Sequence, residues 1–148
     1  MARTVSDIVV DAPAAHIMNV ITDFEKYPEW ATGMTGSEIV AHDAQGRAQD
    51  VRFVLDAPPI RDTFVLRYAY RDENRLLWSL ASKDAAILKA MDGVYTLDPI
   101  TANQTRVTYQ LFVDLKIPIL GLLKRRAERI IVDTALKGLK ACAEGTPE

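Results

Sequence analysis

The chain has 148 residues, 49% of them hydrophobic and 26% charged, with a formal net charge of −2. That length can bury a core as one domain spanning residues 1–148, and the composition excludes an intrinsically disordered chain. The slightly acidic balance argues against a nucleic-acid partner, and the single cysteine, Cys142, excludes an intrachain disulfide or a thiolate metal cluster. No run approaches the roughly 18 apolar residues of a membrane span. Arg3 is followed directly by Thr4-Val5-Ser6-Asp7 rather than by a leader-type apolar stretch, so a cytoplasmic location is expected.

Residues 4–10 alternate loosely and are rich in β-branched side chains, which predicts a strand. Asp11 before Ala12-Pro13 marks a helix start with an acidic cap and an early proline. Ile17, Val20, Ile21 and Phe24 fall at helical spacing, so residues 13–22 read as an amphipathic helix. Pro28 interrupts a smooth continuation. Phe24, Tyr27 and Trp30 recur every third residue, as one face of a second short helix requires.

From Ser37 the period changes to two. Residues 37–41 and 48–56 read as strands around an Asp43-Ala44-Gln45-Gly46 turn, with Val51, Phe53 and Leu55 on one face and Arg52 on the other. Pro58 and Pro59 break the ladder and belong at an edge or in a loop. Residues 62–70 resume it with Phe64, Leu66, Tyr68 and Tyr70 together. After an Asp72-Glu73-Asn74 turn, residues 75–81 set Leu76, Trp78 and Leu80 inward. Beyond Ser82-Lys83-Asp84, residues 86–97 and 105–115 complete the strands around a loop at 99–103. The last of them places Val107, Tyr109, Leu111, Val113 and Leu115 on one face.

Residues 118–143 form one amphipathic stretch, about 39 Å long as a helix. Pro118 suits its first turn and Gly145 the position just past its end. On a helical projection one stripe carries Leu120, Leu123, Ala127, Ile130, Ile131, Thr134, Gly138, Ala141 and Cys142. Many of these are small, and a glycine in a helix interior costs about 1 kcal/mol relative to alanine. Two arrangements account for them: the helix packs close on the sheet, or it leaves room beneath for a guest. Charge is unevenly placed. Residues 1–115 carry 11 basic and 16 acidic side chains, whereas residues 116–129 hold Lys116, Lys124, Arg125, Arg126 and Arg129 against Glu128 alone. The group Lys124, Arg125, Arg126 and Arg129, beside Ile117, Ile119, Leu120, Leu122 and Leu123, has the composition of a surface for an anionic membrane or an acidic partner. A solvated helix face over core leucines has the same composition.

The order of these parts resembles the START and birch-pollen-allergen superfamily, the polyketide cyclase/dehydrase and lipid-transport proteins. The resembling stretches are Val10-Asp11-Ala12-Pro13, then Asp23-Phe24-Glu25-Lys26-Tyr27-Pro28-Glu29-Trp30, then Gly93-Val94-Tyr95-Thr96-Leu97-Asp98-Pro99 and Thr105-Arg106-Val107-Thr108-Tyr109. Ile117-Pro118 and Leu136-Lys137-Gly138-Leu139-Lys140 in the final helix complete them. The resemblance implies an α+β helix-grip fold, in which a seven-stranded curved antiparallel sheet wraps a long C-terminal helix and two short helices follow the first strand. It also implies a cavity for sterols, lipids, polyketides, quinones or plant hormones. Some members are cyclases or dehydratases of aromatic polyketides. One near branch resembles the coenzyme-Q-binding chaperones, and another is related to ribosome-associating toxins. Fold alone does not choose among these activities.

Within that frame the inward positions become candidate ligand contacts. From the first strands they are Phe53, Leu55, Phe64, Leu66 and Tyr68, followed by Trp78 and Leu80. Met91, Tyr95, Tyr109 and Leu111 come from the later strands. Leu123, Ala127, Ile130, Ile131 and Thr134 face them from the last helix. The tyrosines and Trp78 would either line a cavity and orient a ligand oxygen or serve as core aromatics.

No catalytic constellation is present. His16 and His42 lie in different elements, so no metal spacing exists, and the glycines are too scattered for a phosphate loop. No cofactor is implied. His16 lies off the apolar helix face and reads as a surface residue, and Cys142 reads as a buried thiol. The weak catalytic candidates are Asp92, Tyr95 and Tyr109. With Lys89 outward, strict alternation turns Leu88, Ala90 and Asp92 inward, where a carboxyl would be poised for proton transfer. A bulge at Asp92-Gly93 would instead turn the carboxylate to solvent and bring Met91, Tyr95 and Leu97 inward.

The leading expectation is therefore intracellular binding or transport of a hydrophobic small molecule. The alternatives are a polyketide cyclase or dehydratase, and a membrane- or ribosome-associating protein.

Overall fold

The computed structural model describes residues 3–58, 60–81, 85–118 and 120–145. Its strands are β1 (Thr4–Val10), β2 (Met34–His42), β3 (Ala48–Ala57), β4 (Ile60–Asp72), β5 (Arg75–Leu80), β6 (Leu88–Thr101) and β7 (Gln104–Leu115). Helix α1 (Ala14–Ile21), a 3-10 turn (Phe24–Lys26) and α2 (Tyr27–Trp30) separate β1 from β2, and α3 (Gly121–Gly145) follows β7. All seven strands join one curved antiparallel sheet in the order β1-β7-β6-β5-β4-β3-β2. Among the described residues no helix is long and apolar enough to cross a membrane.

Period-two patterning sets the sheet's two faces. Val107, Tyr109, Leu111 and Val113 are buried along β7, as are Val51, Phe53 and Leu55 along β3. Arg52 on the opposite face of β3 pairs with Glu38 of β2 at 2.7 Å. The 43–46 turn is held by Asp43, whose carboxylate accepts the backbone N–H groups of Gln45 and Arg47 at 2.9 Å each. Pro58 stands in the turn between β3 and β4, whereas Pro59 and residues 82–84 lie outside the described residues. The 99–103 loop is shorter than its sequence suggests, because β6 continues through Pro99 to Thr101.

Pairing of β5 with β6 ends at Trp78 opposite Gly93. The Trp78 indole lies across the glycine, where a Cβ would stand 2.1 Å from the ring. Past that point the two strands diverge, and Asp62 of β4 ties the gap. Its carboxylate accepts the N–H groups of Ala86 and Ile87 at 2.9 Å and of Leu88 at 2.8 Å.

Two helix starts differ from the sequence expectation. Pro13 is the N-cap of α1 and no side chain caps it. Asp11, expected as the cap, instead accepts from Gln104 Nε2 at 3.1 Å, while its backbone N–H donates to Glu144 at 2.8 Å. Helix α3 begins at Gly121, three residues after Pro118, and Gly145 is its last residue rather than the one beyond it.

The buried face of α3 is rotated from the expected stripe. Ala127, Ile131, Val132, Ala135, Leu136, Leu139 and Ala143 are buried, whereas Leu120 is 72% exposed, Leu123 42% and Ile130 47%. No residue from Gly121 to Arg126 is buried, although the half-buried Lys124 lies over the Phe112 ring, 5.5 Å from its centroid. Glu128, by contrast, is only 2% exposed. Strand β7 runs past Thr4, the start of β1, which is paired with Leu111. The Val113 N–H therefore has no strand partner on that side, and Glu128 accepts it at 2.6 Å while also accepting the Thr4 hydroxyl at 3.2 Å. A side chain from the helix substitutes for a missing strand, which satisfies a backbone donor that would otherwise be buried unpaired.

Candidate ligand-binding site

The sheet, α2 and the middle of α3 enclose a void of about 40 Å³. Its walls are Tyr27, Ala31 and Thr32 from the α2 region, Met34, Leu55, Leu66, Tyr68, Trp78, Met91, Tyr95 and Tyr109 from the strands, and Ile131 and Ala135 from α3. A cavity needs about 10–15 Å³ of probe volume to hold one water, so this space takes a few waters at most and no larger guest as it stands. Of the two arrangements open to the small-residue face of α3, close packing holds at Gly138. A Cβ there would lie 1.9 Å from the Trp30 carbonyl oxygen. On the sheet side of α3, space remains beside Ile131 and Ala135.

The aromatic walls form one connected set. Tyr68 contacts Phe24 and Trp78 at ring-centroid distances of 4.3 and 5.8 Å. Trp78 meets Tyr95 and Tyr109, each at 5.3 Å, and these two meet edge to face at 4.7 Å. Such contacts fix ring orientation and so aim the hydroxyl groups. Tyr27 donates its hydroxyl to the Ile21 carbonyl, and the Tyr68 hydroxyl lies beside that of Tyr27. Tyr95 and Tyr109 are 3% and 7% exposed, yet their hydroxyls hydrogen-bond to no other described residue. Neither oxygen is sealed off, however: the buried side-chain oxygen without a partner among the described residues is Ser37 Oγ.

Burial pushes the phenols of Tyr27, Tyr68, Tyr95 and Tyr109 above their ordinary range, and neighbouring phenols add to the rise for the first three. All four therefore stay neutral at physiological pH. They can donate a hydrogen bond to an oxygen, but they are poor bases. No carboxylate, histidine or lysine is among the walls.

Eight of the sixteen candidate contacts are found at the void: Leu55, Leu66, Tyr68, Trp78, Met91, Tyr95, Tyr109 and Ile131. Phe53, Phe64, Leu111 and Ala127 are buried in the surrounding core, and Leu80 and Thr134 are half-buried outside the lining. Leu123 and Ile130 are on the exposed side of α3, because the helix is turned to bring Glu128 and Val132 inward. The sequence reading did not place Tyr27, Ala31, Thr32, Met34 or Ala135 at the site. Tyr27 had a visible signal in its spacing with Phe24 and Trp30, but the reach of α2 over the sheet is a tertiary feature.

Asp92 is not at the void. Leu88 and Met91 are both buried, so one extra residue is accommodated between them, and the register of β6 against β7 shifts between Leu88 and Ala90. That irregularity lies earlier than the Asp92-Gly93 position considered from sequence, but it has the same consequence. Met91, Tyr95 and Leu97 turn inward. Asp92 borders a shallow depression on the outer face with Arg3, Arg67 and Ser79. It cannot reach a group held among the tyrosines.

His16 is also placed differently from expectation. It is half-buried, and its Nε2 donates to the Ala143 carbonyl at 3.0 Å, which satisfies an acceptor in the last turn of α3. It borders an open groove of about 610 Å³ between α1, α2 and α3, together with Trp30 and the half-buried Cys142. This groove is larger than the enclosed void but faces solvent.

A seven-stranded curved sheet closed by a long C-terminal helix, with two short helices after the first strand, defines a START-like helix-grip protein. Residues 10–140 match the model of the polyketide cyclase/dehydrase and lipid transport family, and the chain belongs to that family. Solved structures agree on the fold. A START superfamily protein from Mycobacterium smegmatis superposes with a TM-score of 0.90 at 22% identity, covering 97% of each chain. A protein from Thermus thermophilus gives 0.84 at 21% identity, covering 99% of this chain and 100% of its own. The Zhui aromatase/cyclase from Streptomyces sp. R1128 gives 0.75 at 16% identity, covering 97% and 93%. A search of curated proteins finds no match. Family and fold fit either hydrophobic ligand binding or a cyclase-like activity.

Proposed function

We propose that the protein binds, and in that way carries, a small hydrophobic molecule bearing at least one oxygen, such as a lipid, quinone or polyketide-like compound, between the sheet and α3. One observation carries this reading: the neutral hydroxyls of Tyr95 and Tyr109, which hydrogen-bond to no other described residue, line a mainly apolar enclosure. A core designed only for stability gains nothing from them, whereas a ligand oxygen would supply the missing acceptor. The lack of a base among the walls favours binding over proton transfer, and so over cyclisation.

Drug-sized ligands occupy pockets of roughly 300 Å³ or more, so the enclosure must expand on binding. Two features support such expansion. Met34 and Met91 are unbranched thioethers that can change rotamer at little cost. The N-terminal half of α3 is held to the sheet by Ala127, Glu128, Ile131 and Val132 and by the Arg129 bond to the Val5 carbonyl, while no residue before Ala127 is buried. Displacing that half would widen the space beside Ile131 and leave the Gly138 contact in place.

Mass spectrometry of an organic extract of natively purified protein tests the reading. The expected result is a co-purifying apolar compound in near-stoichiometric amount. Repeated absence of any such compound, together with no uptake of fluorescent lipids, would overturn it.

A further inference from the structure

We propose that the first turns of α3 and the residues leading into them are a docking surface for an anionic lipid bilayer. The observation is a juxtaposition of exposed aliphatic and cationic side chains that the fold leaves uncovered. Ile117 is 48% exposed and Leu120 72% in the segment leading into α3, and Leu122 is 73% and Leu123 42% exposed in its first turn. Large aliphatic side chains so exposed and so close together mark a surface that is covered in use. Arg125 and Arg126 lie three and four residues after Leu122, and Arg129 lies four and three residues after them, so the four share one outward face of α3.

The charge of this surface is more one-sided than its sequence. The segment's one acid, Glu128, is buried and committed to the Val113 N–H. The outward side therefore carries Arg125, Arg126 and Arg129, while the half-buried Lys124 lies over the Phe112 ring, 5.5 Å from its centroid, and the next acid along the helix is Asp133, 3.8 Å from Arg129. Arg125 and Arg126 are exposed and take part in no ion pair among the described residues.

An anionic bilayer fits both halves of this arrangement. Leucines enter the acyl boundary while arginines reach the headgroups, as in interfacial amphipathic helices. An acidic protein or RNA would use the cations but would leave the leucines unexplained. Residues 1–115 carry 11 basic against 16 acidic side chains. The remainder of the molecule is thus repelled by an anionic leaflet, which orients the patch toward it. Ile131, at the enclosed void, lies nine residues beyond Leu122, about 14 Å along the same helix. Docking would bring the loosely held end of α3 to the lipid surface, but the docking claim stands whether or not the void takes a ligand.

Co-sedimentation with phosphatidylcholine vesicles, with and without phosphatidylglycerol, tests the proposal. The expected result is binding only to the anionic vesicles, weakened by salt. Arg125→Gln with Arg126→Gln should weaken it about thirtyfold. Leu120→Ser with Leu122→Ser should also weaken it, at unchanged melting temperature because both sites are exposed. The proposal is overturned by absence of binding, by equal binding to neutral vesicles, or by either double variant binding as well as the parent. Binding of polyuridylate or an acidic protein without vesicle binding would overturn it too.

Discussion

Gly138 of α3 passes so close to Trp30 of α2 that a Cβ on the glycine would stand 1.9 Å from the Trp30 carbonyl oxygen. The obstacle is backbone and cannot rotate away. Gly138→Ala should gain about 1 kcal/mol of helix propensity, yet overpacking against a fixed neighbour typically costs about 1–3 kcal/mol and more against backbone. We expect a net loss of about 1–2 kcal/mol, read from the midpoint of urea unfolding. A more stable variant would show that α3 is not pinned there.

Glu128 holds the opposite half of the same helix. Glu128→Ala leaves the Val113 N–H buried without an acceptor, so a loss of about 1–3 kcal/mol is expected. Glu128→Gln keeps a carbonyl oxygen and should lose less. Native-state hydrogen exchange at the Val113 amide separates this role from general packing. It should accelerate far more in the alanine variant than amides of β3 do.

Asp62 predicts a particular dependence of stability on pH. Burial alone would raise its carboxyl, but the N–H groups of Leu88, Ile87, Ala86 and Thr63 outweigh that and hold it below its ordinary 3.8. A folded pKa below the unfolded one contributes stability above the unfolded value, and that contribution disappears as pH falls through the folded value. Asp62→Ala should therefore cost stability near neutrality, about 1 kcal/mol or less because the carboxyl is largely screened by solvent. The gap between variant and parent should stay flat down to about pH 5 and close below about pH 4. Urea melts across that range check it, and a gap independent of pH would contradict it.

The unpaired phenols make a prediction opposite to that for an ordinary core hydrogen bond. Tyr95→Phe and Tyr109→Phe remove hydroxyls that bond to no described residue, so neither should lower stability, and a gain of up to about 1 kcal/mol is expected. Tyr27→Phe should lower it by about 1 kcal/mol, because it breaks the bond to the Ile21 carbonyl. Thermal unfolding of the three variants side by side is the measurement.

Where packing follows a local period, the sequence is a good guide. The alternation of Val107, Tyr109, Leu111 and Val113 in β7 and the triplet spacing of Phe24, Tyr27 and Trp30 both match the buried face. The family resemblance carried by those segments anticipated the fold. The rotation of α3 was not legible. Leu120, Leu123 and Ile130 suggest one buried stripe, but all three are exposed, and no residue from Gly121 to Arg126 is buried. The true orientation depends on an acid, Glu128, meeting a backbone donor at the end of β7. The side-chain directions in β6 were undetermined for a similar reason. An extra residue between Leu88 and Met91 reverses every position after it, and nothing in the local pattern places that residue. At the site, the aromatic positions were readable. The extent of filling was not, since it depends on how close Gly138 lets α3 approach.

The central claim is that the space beneath α3 opens to admit an apolar molecule, and the methionine methyl groups report on it directly. Met34 and Met91 line the void and Met18 does not. In protein labelled at the methionine methyls and titrated with 2-naphthol, an apolar bicycle with one hydroxyl, we expect saturable shifts at Met34 and Met91 and none at Met18. Tyr95→Phe with Tyr109→Phe should weaken that saturation about tenfold, the loss of roughly one net hydrogen bond. Unmoved Met34 and Met91 resonances, or shifts indifferent to the two hydroxyls, would contradict the account.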